Sequence, residues 1–387
     1  MYKKYDENIT SLNKDEDCTE IIYNNVITQK ISNDNLLNKN SKIYIAGHKG
    51  LVGSSILKNL QKKGYKNLIY KTHQELDLIN QKDVEDFFIT YKPDFVILAA
   101  AKVGGVEANN SYRADFIYEN LQIQNNIIHQ SYKNAVTKLL FLGSSCIYPK
   151  NAPQPLSEDR LLTSELEYTN EPYAIAKIAG IKMCESYNVQ YNTNFICAMP
   201  TNLYGENDNF DLKNSHVLPA LIRKIHLAKL LSNKNYDEVV QDLKSKNIDT
   251  ARSYLKEFGV DENSVEIWGS GKPRREFLYS GDMADACIFL LENINFVDLL
   301  DKNDNQIKNR HINIGTQIDI SIKDLAYLIK DIVGFDGELY FNSTKLDGTI
   351  VKLTNCEKIH NLGWEHKTNL EDGIKHIYNW YLKQDNI

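Results

Sequence analysis

Short apolar stretches alternate with helical patterns over the first half of the chain, and this alternation limits the possible folds more than any other feature. Four stretches have the length and composition of strands: residues 42–46, 68–70, 95–100 and 138–142. Apolar residues recur at helical spacing between them, at residues 54–63, 84–91 and 116–134. Alternating strands and helices favour a parallel sheet, and continuous apolar strands indicate burial on both faces. The pattern therefore predicts an α/β fold with a Rossmann-type doubly wound parallel sheet.

The 387 residues leave room for two lobes. We expect residues 41–205 to form the Rossmann domain, with a later segment, 275–315, returning to it. The alternation weakens after this domain, so residues 206–387 are expected to form mainly a smaller C-terminal substrate-binding lobe. A polar stretch inside that lobe, residues 227–265, is interpreted as an insertion. Two helices are predicted within it, at 236–246 and 250–258.

Residues 1–40 differ from the rest of the chain, because they are rich in Asn, Asp, Lys, Ser and Thr and contain few large apolar side chains. This composition predicts a loosely ordered N-terminal extension without catalytic residues. The alternative is a strand or helix that docks on the body of the protein through the apolar residues at 21–23 and 26–27.

Composition and charge exclude several classes of function. The net charge of -6 argues against a protein that binds the nucleic-acid backbone, which normally presents a basic face. No apolar run approaches the roughly 20 residues that a membrane helix needs, and the first residues do not form a signal peptide. The six cysteines are scattered without a Cys-x-x-Cys pair, so neither a disulfide framework nor a zinc site is expected. We therefore expect a cytoplasmic protein with no bound metal.

A glycine-rich turn follows the first predicted strand directly. It consists of Gly47, His48, Lys49, Gly50, Leu51, Val52 and Gly53, and it leads into the first predicted helix. Glycines permit a tight turn and let the backbone approach a pyrophosphate, while the helix N-terminus supplies N–H groups and partial positive charge. The strand–turn–helix context favours a dinucleotide site. The alternative is a tight turn that requires glycine for steric reasons alone.

Basic residues at the end of the second strand decide which dinucleotide is expected. An NAD site usually carries an acid there, whereas this chain has Lys71, Thr72 and His73, with Lys49 in the glycine turn. Cations suit a 2′-phosphate, so NADP(H) is predicted in preference to NAD(H). Asp77 is expected to lie near the adenine. Alternatively, each basic residue belongs to an ordinary solvated surface.

Three residues form a candidate hydride-transfer set. Ser144 follows a buried strand, at the edge of the sheet where doubly wound folds bind their ligands. Tyr173 and Lys177 are spaced to share one face of a helix. A neighbouring ammonium is expected to lower the pKa of the phenol from about 10 toward neutrality, while Ser144 hydrogen-bonds the substrate oxygen. Taken alone, a Tyr-x-x-x-Lys pattern also fits an ordinary amphipathic helix.

Several longer strings extend this pattern. They lie at residues 45–48, 99–105, 141–149, 170–180, 199–205, 214–217 and 268–271. On these strings the chain resembles the extended short-chain dehydrogenases/reductases and, more narrowly, the GDP-L-fucose synthase family. The resemblance implies a multifunctional, NADPH-dependent enzyme that epimerises GDP-4-keto-6-deoxy-D-mannose at C3 and C5. It then reduces the C4 ketone to give GDP-L-fucose.

The resemblance also implies roles for two further side chains, with Cys146 as the base and His216 as the acid of epimerisation. The C4 ketone acidifies the hydrogens on both adjacent carbons, and hydrogen bonds from Ser144 and Tyr173 would stabilise the resulting enolate. Two proton-transfer groups can then invert each carbon from opposite faces. The alternatives are a small buried cysteine and a histidine in a satisfied polar contact.

The remaining site residues are carried over from the same resemblance. It implies that NADPH is bound by Ser144, Lys177 and His216, together with Leu142, Gly143, Ser145, Pro200, Thr201, Asn202 and Leu203. It implies that the GDP-sugar is held by Lys224, Trp268, Arg275 and Asp347. Charge adds Arg223 to this set, because a diphosphate favours cations; a solvated basic surface is the alternative. Finally, the resemblance implies a homodimer in which helices 116–134 and 172–189 form a four-helix bundle with their copies.

The sequence departs from the family pattern mainly at segments expected near the sugar nucleotide, and less at those expected near the hydride-transfer residues. They are the extension, the insertion, and the strings at 279–282 and 345–352. The runner-up hypothesis is therefore a GDP-6-deoxy-4-keto-heptose C4 reductase, either with or without epimerase activity. A hypothesis from another class is a non-catalytic NADP-binding sensor on the same fold.

Overall fold

The computed structural model describes residues 36–301, 307–345 and 347–384. Its strands are β1 (Ile43–Ala46), β2 (Leu68–Ile69), β3 (Phe95–Leu98), β4 (Lys138–Leu142), β5 (Phe195–Pro200), β6 (Asn202–Tyr204), β7 (Ser264–Trp268), β8 (Arg274–Tyr279), β9 (Ile312–Ile314), β10 (Asp319–Ser321), β11 (Glu338–Asn342) and β12 (Val351–Lys352). Its α-helices are α1 (Leu51–Lys62), α2 (Gln81–Tyr91), α3 (Val106–Ser111), α4 (Arg113–Lys133), α5 (Glu171–Tyr191), α6 (Val217–Ser232), α7 (Tyr236–Asp242), α8 (Ile248–Glu257), α9 (Ser280–Asn293), α10 (Ile322–Val333), α11 (Glu357–Asn361) and α12 (Leu370–Tyr381).

Six strands form a parallel sheet in the order β2-β1-β3-β4-β5-β9. The residues of β1, β3 and β4 are buried throughout, as expected for strands covered on both faces. The predicted α/β fold with a Rossmann-type parallel sheet is confirmed. The strand order reverses between β1 and β3, and such a switch point opens a crevice at the carboxyl ends of the strands.

Helices cover both faces of this sheet. On one face α1 packs against α9, and the core beneath them contains Ile56, Leu60 and Leu290. On the other face α4 packs against α5, over a core that includes Ile127 and Ile181. Apolar stripes on these helices supply most of the burial, at about 25 cal/mol per Å² of apolar surface.

The second lobe contains two smaller sheets. In one of them β8 lies between antiparallel β10 and parallel β12, and β6 also pairs with β8. In the other, β7 and β11 run parallel. Helices α6, α10 and α12 pack around a separate apolar core. Because β6 continues directly from the last residues of β5, the sheet of the first lobe leads straight into the second.

The stretch from 227 to 265 is built into the second lobe. Its first residues complete α6, and the two helices predicted in it are α7, shorter than predicted, and α8. Val239, Ala251 and Leu255 are fully buried in the core of the lobe. Arg223 of α6 forms an ion pair with Asp242 of α7 at 2.9 Å. The segment therefore stabilises the lobe through apolar contacts as well as through this buried ion pair.

The first described residues contact the core of the six-stranded sheet. The Leu37 side chain is buried, and its N–H donates a hydrogen bond to the carbonyl of Leu291 at 3.2 Å. The proposed anchors at 21–23 and 26–27 lie outside the described residues. In the described ranges, no helix is long and apolar enough to cross a membrane.

Candidate active site

The glycine turn lies at the switch point of the sheet. Gly47 has φ +88°, and a Cβ atom there would come within 2.7 Å of the backbone nitrogen of Ala100, beyond the end of β3. A Cβ on Gly53 would lie 2.1 Å from the Gly47 carbonyl oxygen. Both positions therefore require glycine for the turn to close. A Cβ on Gly50 would meet only that carbonyl oxygen, at an ordinary 3.5 Å, so the turn leaves space beside Gly50.

Helix α1 begins in this turn with unpaired donors. Gly50 is its N-cap and provides no side-chain cap, and the first turn of the helix contains no acidic residue. The first N–H groups of a helix have no intrahelical acceptor and carry partial positive charge. The glycine turn thus combines open space beside Gly50 with helix N–H groups that have no intrahelical acceptor. This combination fits the pyrophosphate of a dinucleotide.

The basic cluster beyond β2 contains acids as well as cations. Lys71 lies 3.8 Å from the carboxylate of Glu75, and His73 lies 3.8 Å from Asp77. The Glu75 carboxylate also accepts hydrogen bonds from the N–H and hydroxyl of Thr72, each at 2.8 Å. An acid therefore lies near the predicted cations, because the turn after β2 folds Glu75 back onto Lys71. The Asp77 carboxylate accepts the N–H of Ile79.

His48 connects the glycine turn to this cluster. Its ring packs on that of Tyr70, with 4.8 Å between the centroids. Burial, followed by the charge of the exposed Lys49, lowers the pKa of His48 below its ordinary value. The imidazole therefore contributes mainly shape and a neutral polar surface at this place, while Lys49 contributes the charge.

The turn after β4 holds Ser144 and Cys146. The Ser144 hydroxyl accepts a hydrogen bond from the N–H of Cys146 at 3.3 Å and caps the short 3-10 helix Ser145–Ile147. Ser145 is buried, and a Cβ on Gly143 would lie 2.2 Å from the sulfur of Met199. Close packing against β5 therefore fixes the direction in which this turn leaves the sheet.

Helix α5 brings Tyr173 and Lys177 to the same turn. The amine of Lys177 is buried and donates a hydrogen bond to the carbonyl of Leu142 at 2.8 Å. It also lies 5.6 Å from the centre of the Tyr173 ring. The Tyr173 ring in turn packs edge-on against Phe116 of α4. The predicted Tyr-x-x-x-Lys pair thus shares one helix face next to the end of β4.

Burial dominates the electrostatics of this pair. It raises the pKa of Tyr173 well above its ordinary value, and the neighbouring Cys146 raises it further. Burial also lowers the pKa of Lys177 to about 8. The expectation that the ammonium would bring the pKa of the phenol toward neutrality was wrong for the protein alone, because burial disfavours the phenolate and Cys146 disfavours it further.

Cys146 and His216 occupy different settings. Burial raises the pKa of the Cys146 thiol, and the Ser144 hydroxyl, Lys352 and Lys177 oppose that increase in this order. His216 is the N-cap of α6 but makes no side-chain capping bond. Desolvation of its imidazole by the surrounding protein lowers the pKa of His216 below its ordinary value. A Cβ on Gly105 would lie 3.4 Å from the carbonyl of Ser215, so the loop after β3 runs close to the start of α6.

Most of the predicted sugar-nucleotide residues lie on β7, β8 and the segment before β12. The Trp268 side chain is 56% exposed, and the amines of Lys224 and Lys345 lie 5.9 and 5.1 Å from its ring. Arg275 donates to the carbonyl of Thr349 at 2.6 Å. Asp347 accepts hydrogen bonds from the N–H and hydroxyl of Ser270, two residues after Trp268. Together they form an exposed aromatic surface bordered by cations.

Two predicted cations are engaged by protein acceptors. Lys224 donates to the carbonyls of Phe258 and Glu266, and burial lowers its pKa to about 8. Arg223 binds the carboxylate and the carbonyl of Asp242 as well as the carbonyl of Phe210. The structure places Arg223 in the ion pair with Asp242 of α7, and its guanidinium is occupied there.

The predicted cofactor residues at 200–203 contact the backbone of Glu276, a residue that sequence reasoning missed. The N–H of Thr201 donates to Ile314, and the side chain of Asn202 donates to the carbonyl of Glu276 at 2.8 Å. Pro200 ends β5 and Leu203 continues into β6. The carboxylate of Glu276 is fully buried, and its four donors are the N–H groups of Thr316, Gln317 and Thr354 and the hydroxyl of Thr354. The available signal was an acid inside β8, between two arginines and three residues with large aromatic or aliphatic side chains.

Comparison with known proteins identifies similar enzymes. The model of the NAD dependent epimerase/dehydratase family matches residues 43–315. GDP-L-fucose synthase 1 of Arabidopsis thaliana is 51% identical over 345 residues, which cover 89% of this chain and 94% of that protein. GDP-L-fucose synthase of Escherichia coli (strain K12) is 47% identical over 342 residues, covering 88% of this chain and 97% of that protein. The structure of a GDP-mannoheptose C4 reductase from Campylobacter jejuni with NADP bound is 54% identical, with a TM-score of 0.81, and the match covers 90% of this chain and 100% of that one.

Proposed function

The chain belongs to the NAD dependent epimerase/dehydratase family and, within it, to the GDP-L-fucose synthase family, and from this premise we propose that it makes GDP-L-fucose. The reaction is the 3,5-epimerisation of GDP-4-keto-6-deoxy-D-mannose followed by reduction of its C4 ketone with NADPH. One observation carries the proposal: Lys177 and Tyr173 share a helix face beside the turn that holds both Ser144 and Cys146. Reduction and proton transfer can then use the same carbonyl group.

NADP(H) is the cofactor that this chain uses. The glycine turn and the free N–H groups of α1 would hold its pyrophosphate, with Lys49, Lys71 and His73 toward the 2′-phosphate. The remaining contacts would come from Asp77, Leu142, Gly143, Ser145, Lys177, Pro200, Thr201, Asn202, Leu203 and His216. When bound, NADPH supplies the hydride for the C4 carbon. Solved relatives with NADP bound support this assignment.

Epimerisation uses the acidity of the carbons beside the C4 ketone. The thiolate of Cys146 removes a proton from such a carbon: a C–H bond breaks, an S–H bond forms, and the electron pair moves to the ketone oxygen. Hydrogen bonds from Ser144 and Tyr173 stabilise this enolate. His216 returns a proton to the opposite face, which inverts the carbon.

Reduction follows at the same carbonyl. Tyr173 donates its phenolic proton to the oxygen as the carbon is reduced, while Ser144 continues to hold that oxygen. The raised pKa keeps Tyr173 protonated before the step, which suits a proton donor. The nearby ammonium of Lys177 stabilises the negative charge left on the phenol oxygen.

The GDP portion of the substrate binds at the exposed aromatic surface. Trp268 offers a flat face, and Arg275 and Lys224 offer positive charge for the diphosphate. Asp347, held by Ser270, offers a carboxylate acceptor. Arg223 contributes indirectly, since it secures α6, the helix that carries Lys224.

The experiment that tests this function is turnover in deuterated water. The protein is incubated with NADPH and GDP-4-keto-6-deoxy-D-mannose, and the product is examined by NMR and mass spectrometry. Deuterium at C3 and C5 of GDP-L-fucose is the expected result. Reduction without incorporation of deuterium would refute the epimerase half of the proposal.

A second candidate function is supported by the solved GDP-mannoheptose C4 reductase, which is 54% identical to this chain. In that case the substrate is a GDP-6-deoxy-4-keto-heptose, and the chain reduces C4 with or without prior epimerisation. Cys146 and His216 do not distinguish the two, because a reductase can retain both residues. Comparing kcat/KM for the hexose and heptose substrates decides between them.

The proposed assembly is a homodimer in which α4 and α5 pair with their copies as a four-helix bundle. Tyr118 of α4 and Ile175 of α5 are exposed apolar side chains on these helices and support the pairing. Light scattering tests the assembly, and a monomeric mass would contradict it. We also propose that the enzyme acts in the cytoplasm, where scattered thiols stay reduced; cell fractionation tests this location.

A further inference from the structure

Tyr148 ends the short 3-10 helix that carries Cys146. Two hydrogen bonds close the backbone of this turn: the N–H of Ile147 donates to the carbonyl of Ser144 at 3.3 Å. The N–H of Tyr148 donates to the carbonyl of Ser145 at 3.4 Å. The Tyr148 side chain is buried in the core beneath the turn's own strand, β4. Because the turn is one bonded unit, whatever fixes the Tyr148 side chain also helps to fix the turn.

The hydroxyl of Tyr148 has two partners, one residue before β9 and one within it. It donates to Oδ1 of Asn313 and lies 3.0 Å from Nε2 of His311. Both partner side chains are almost completely buried. The orientation of the Asn313 amide is set by its Nδ2, which donates to the carbonyls of Leu156 and Asn355 at 2.9 and 3.2 Å. Oδ1 of Asn313 therefore faces Tyr148 as an acceptor.

These bonds determine which nitrogen of His311 carries the proton. The Tyr148 hydroxyl has one proton, which it gives to Asn313, so its oxygen can only accept from the imidazole. Nε2 of His311 is therefore protonated, and Nδ1 keeps a lone pair. Among the described residues, this buried Nδ1 has no hydrogen-bond partner. Burial, followed by the charges of Lys358 and Lys182, lowers the pKa of His311 well below its ordinary value, so the ring stays neutral.

The two partners of Tyr148 are themselves held in place. The N–H of Asn313 donates to the carboxylate of Glu158 at 3.0 Å. Lys358 of α11 lies 3.5 Å from the same carboxylate and donates to the carbonyl of His311 at 2.9 Å. Strand β9 also pairs with β5 in the six-stranded sheet. The Tyr148 hydroxyl is thus bonded to a support that is fixed by the sheet and by a buried polar network.

We propose that Tyr148 is a positioning residue, whose hydroxyl, held by His311 and Asn313, fixes the turn so that Ser144 and Cys146 reach the same carbonyl group. This inference rests on the proposed function, in which both side chains act on one ketone. Burial raises the pKa of Tyr148 well above its ordinary value, so the hydroxyl keeps its proton. Since that hydroxyl is engaged on both sides, it acts through the turn and not on the substrate.

Tyr148→Phe tests the proposal, because it removes the hydroxyl and keeps the ring. The matched control is Tyr378→Phe in the second lobe, which removes a buried hydroxyl that lies 3.0 Å from Nδ1 of His226. Both variants should have lower melting temperatures than the wild type. Only Tyr148→Phe should lower kcat for reduction, by about 10–100-fold, the cost of small misplacements of reacting groups. KM for the GDP-sugar should stay unchanged, because its proposed binding residues lie on other segments.

Variants of His311 test the same network from its other end. His311→Gln retains an N–H donor for the Tyr148 oxygen, whereas His311→Leu has none. We expect kcat of His311→Gln to be close to that of the wild type, and kcat of His311→Leu to fall as in Tyr148→Phe. If Tyr148→Phe and His311→Leu melt at lower temperatures but keep the wild-type kcat, the network serves stability alone and the proposal is overturned.

Amide hydrogen exchange, followed by mass spectrometry, examines the turn without substrate. The peptide that contains residues 144–148 should exchange about tenfold faster in Tyr148→Phe than in the wild type or in Tyr378→Phe. An unchanged rate in that peptide overturns the proposal. If exchange becomes faster but the wild type turns over no GDP-4-keto sugar, the hold of Tyr148 on the turn is supported and the proposed function is refuted.

Discussion

The amine of Lys177 donates a hydrogen bond to the backbone carbonyl of Leu142 at 2.8 Å. This single bond joins the helix that carries the Tyr-x-x-x-Lys pattern to the carboxyl end of the strand that precedes Ser144. It fixes the ammonium within 5.6 Å of the Tyr173 ring. The reacting carbonyl can therefore be placed against Ser144 and Tyr173 with a buried positive charge close by.

The pH dependence of reduction should reflect Lys177. Since burial lowers its pKa to about 8, the group is charged below that pH and neutral above it. We expect kcat/KM for reduction of an already epimerised ketone to fall as the pH rises through about 8. A pH–rate profile measures this, with Lys177→Met as the control that lacks the dependence. A constant rate up to pH 9.5 would contradict the role of the ammonium.

Tyr173→Phe should abolish most turnover without preventing cofactor binding. The variant retains the ring that packs on Phe116 but lacks the proton donor, so we expect a loss of about 10²–10⁴ in kcat. NADPH fluorescence titration should give a Kd within about threefold of the wild type, which corresponds to under 1 kcal/mol. Unchanged turnover in Tyr173→Phe would refute the hydride-transfer set of Ser144, Tyr173 and Lys177. If the wild-type protein binds NADPH but shows no turnover, the sensor hypothesis is favoured.

Cys146→Ser should separate the two half-reactions. A serine hydroxyl is a much weaker acid than a thiol, so the variant cannot form the required base near neutral pH. We expect deuterium exchange at C3 and C5 to disappear while reduction of an already epimerised ketone remains. NMR of both reactions in deuterated water measures the difference. An equal loss of both steps would mean that Cys146 does not act separately from the reduction.

The two glycines of the cofactor turn should respond differently to alanine. A Cβ at Gly53 would overlap the backbone of Gly47, with distances of 2.1 and 2.6 Å to its oxygen and carbon. We expect Gly53→Ala to destabilise the fold by about 4 kcal/mol or more, the range of severe core changes. Gly50→Ala is the matched control, because its Cβ meets an ordinary contact. Gly50→Ala should keep the wild-type melting temperature but weaken NADPH binding. If both variants have similar melting temperatures, the expected difference between the two glycines is contradicted.

Glu276 should be required for stability instead of chemistry. Its buried carboxylate accepts four hydrogen bonds from Thr316, Gln317 and Thr354, which joins β8 to the segments after β9 and β12. Removing it leaves these donors unpaired, so Glu276→Ala should cost about 3–5 kcal/mol of unfolding free energy. Urea denaturation measures the loss, and the exposed Glu338→Ala serves as the control. A change below about 1 kcal/mol would show that water replaces the carboxylate at little cost.

Local patterns predicted the parts of the protein that depend on local structure. The alternation of apolar strands and helices specified the parallel sheet, and α4 covers most of the predicted 116–134. The glycine turn, Ser144 and the Tyr173–Lys177 pair were identified because each is a short string within one turn or one helix. Spacing alone determines which face of a helix such residues share.

What the sequence determined by itself was therefore the fold, and it also predicted Ser144, Tyr173 and Lys177, which the structure brings to one place. Tertiary structure alone decided that Arg223 pairs with Asp242 and that Glu75 lies beside Lys71. It also decided that the pKa of Tyr173 rises in the protein alone. The physical reason is that ion pairs and desolvation depend on which distant segments pack together, and no local periodicity encodes those contacts.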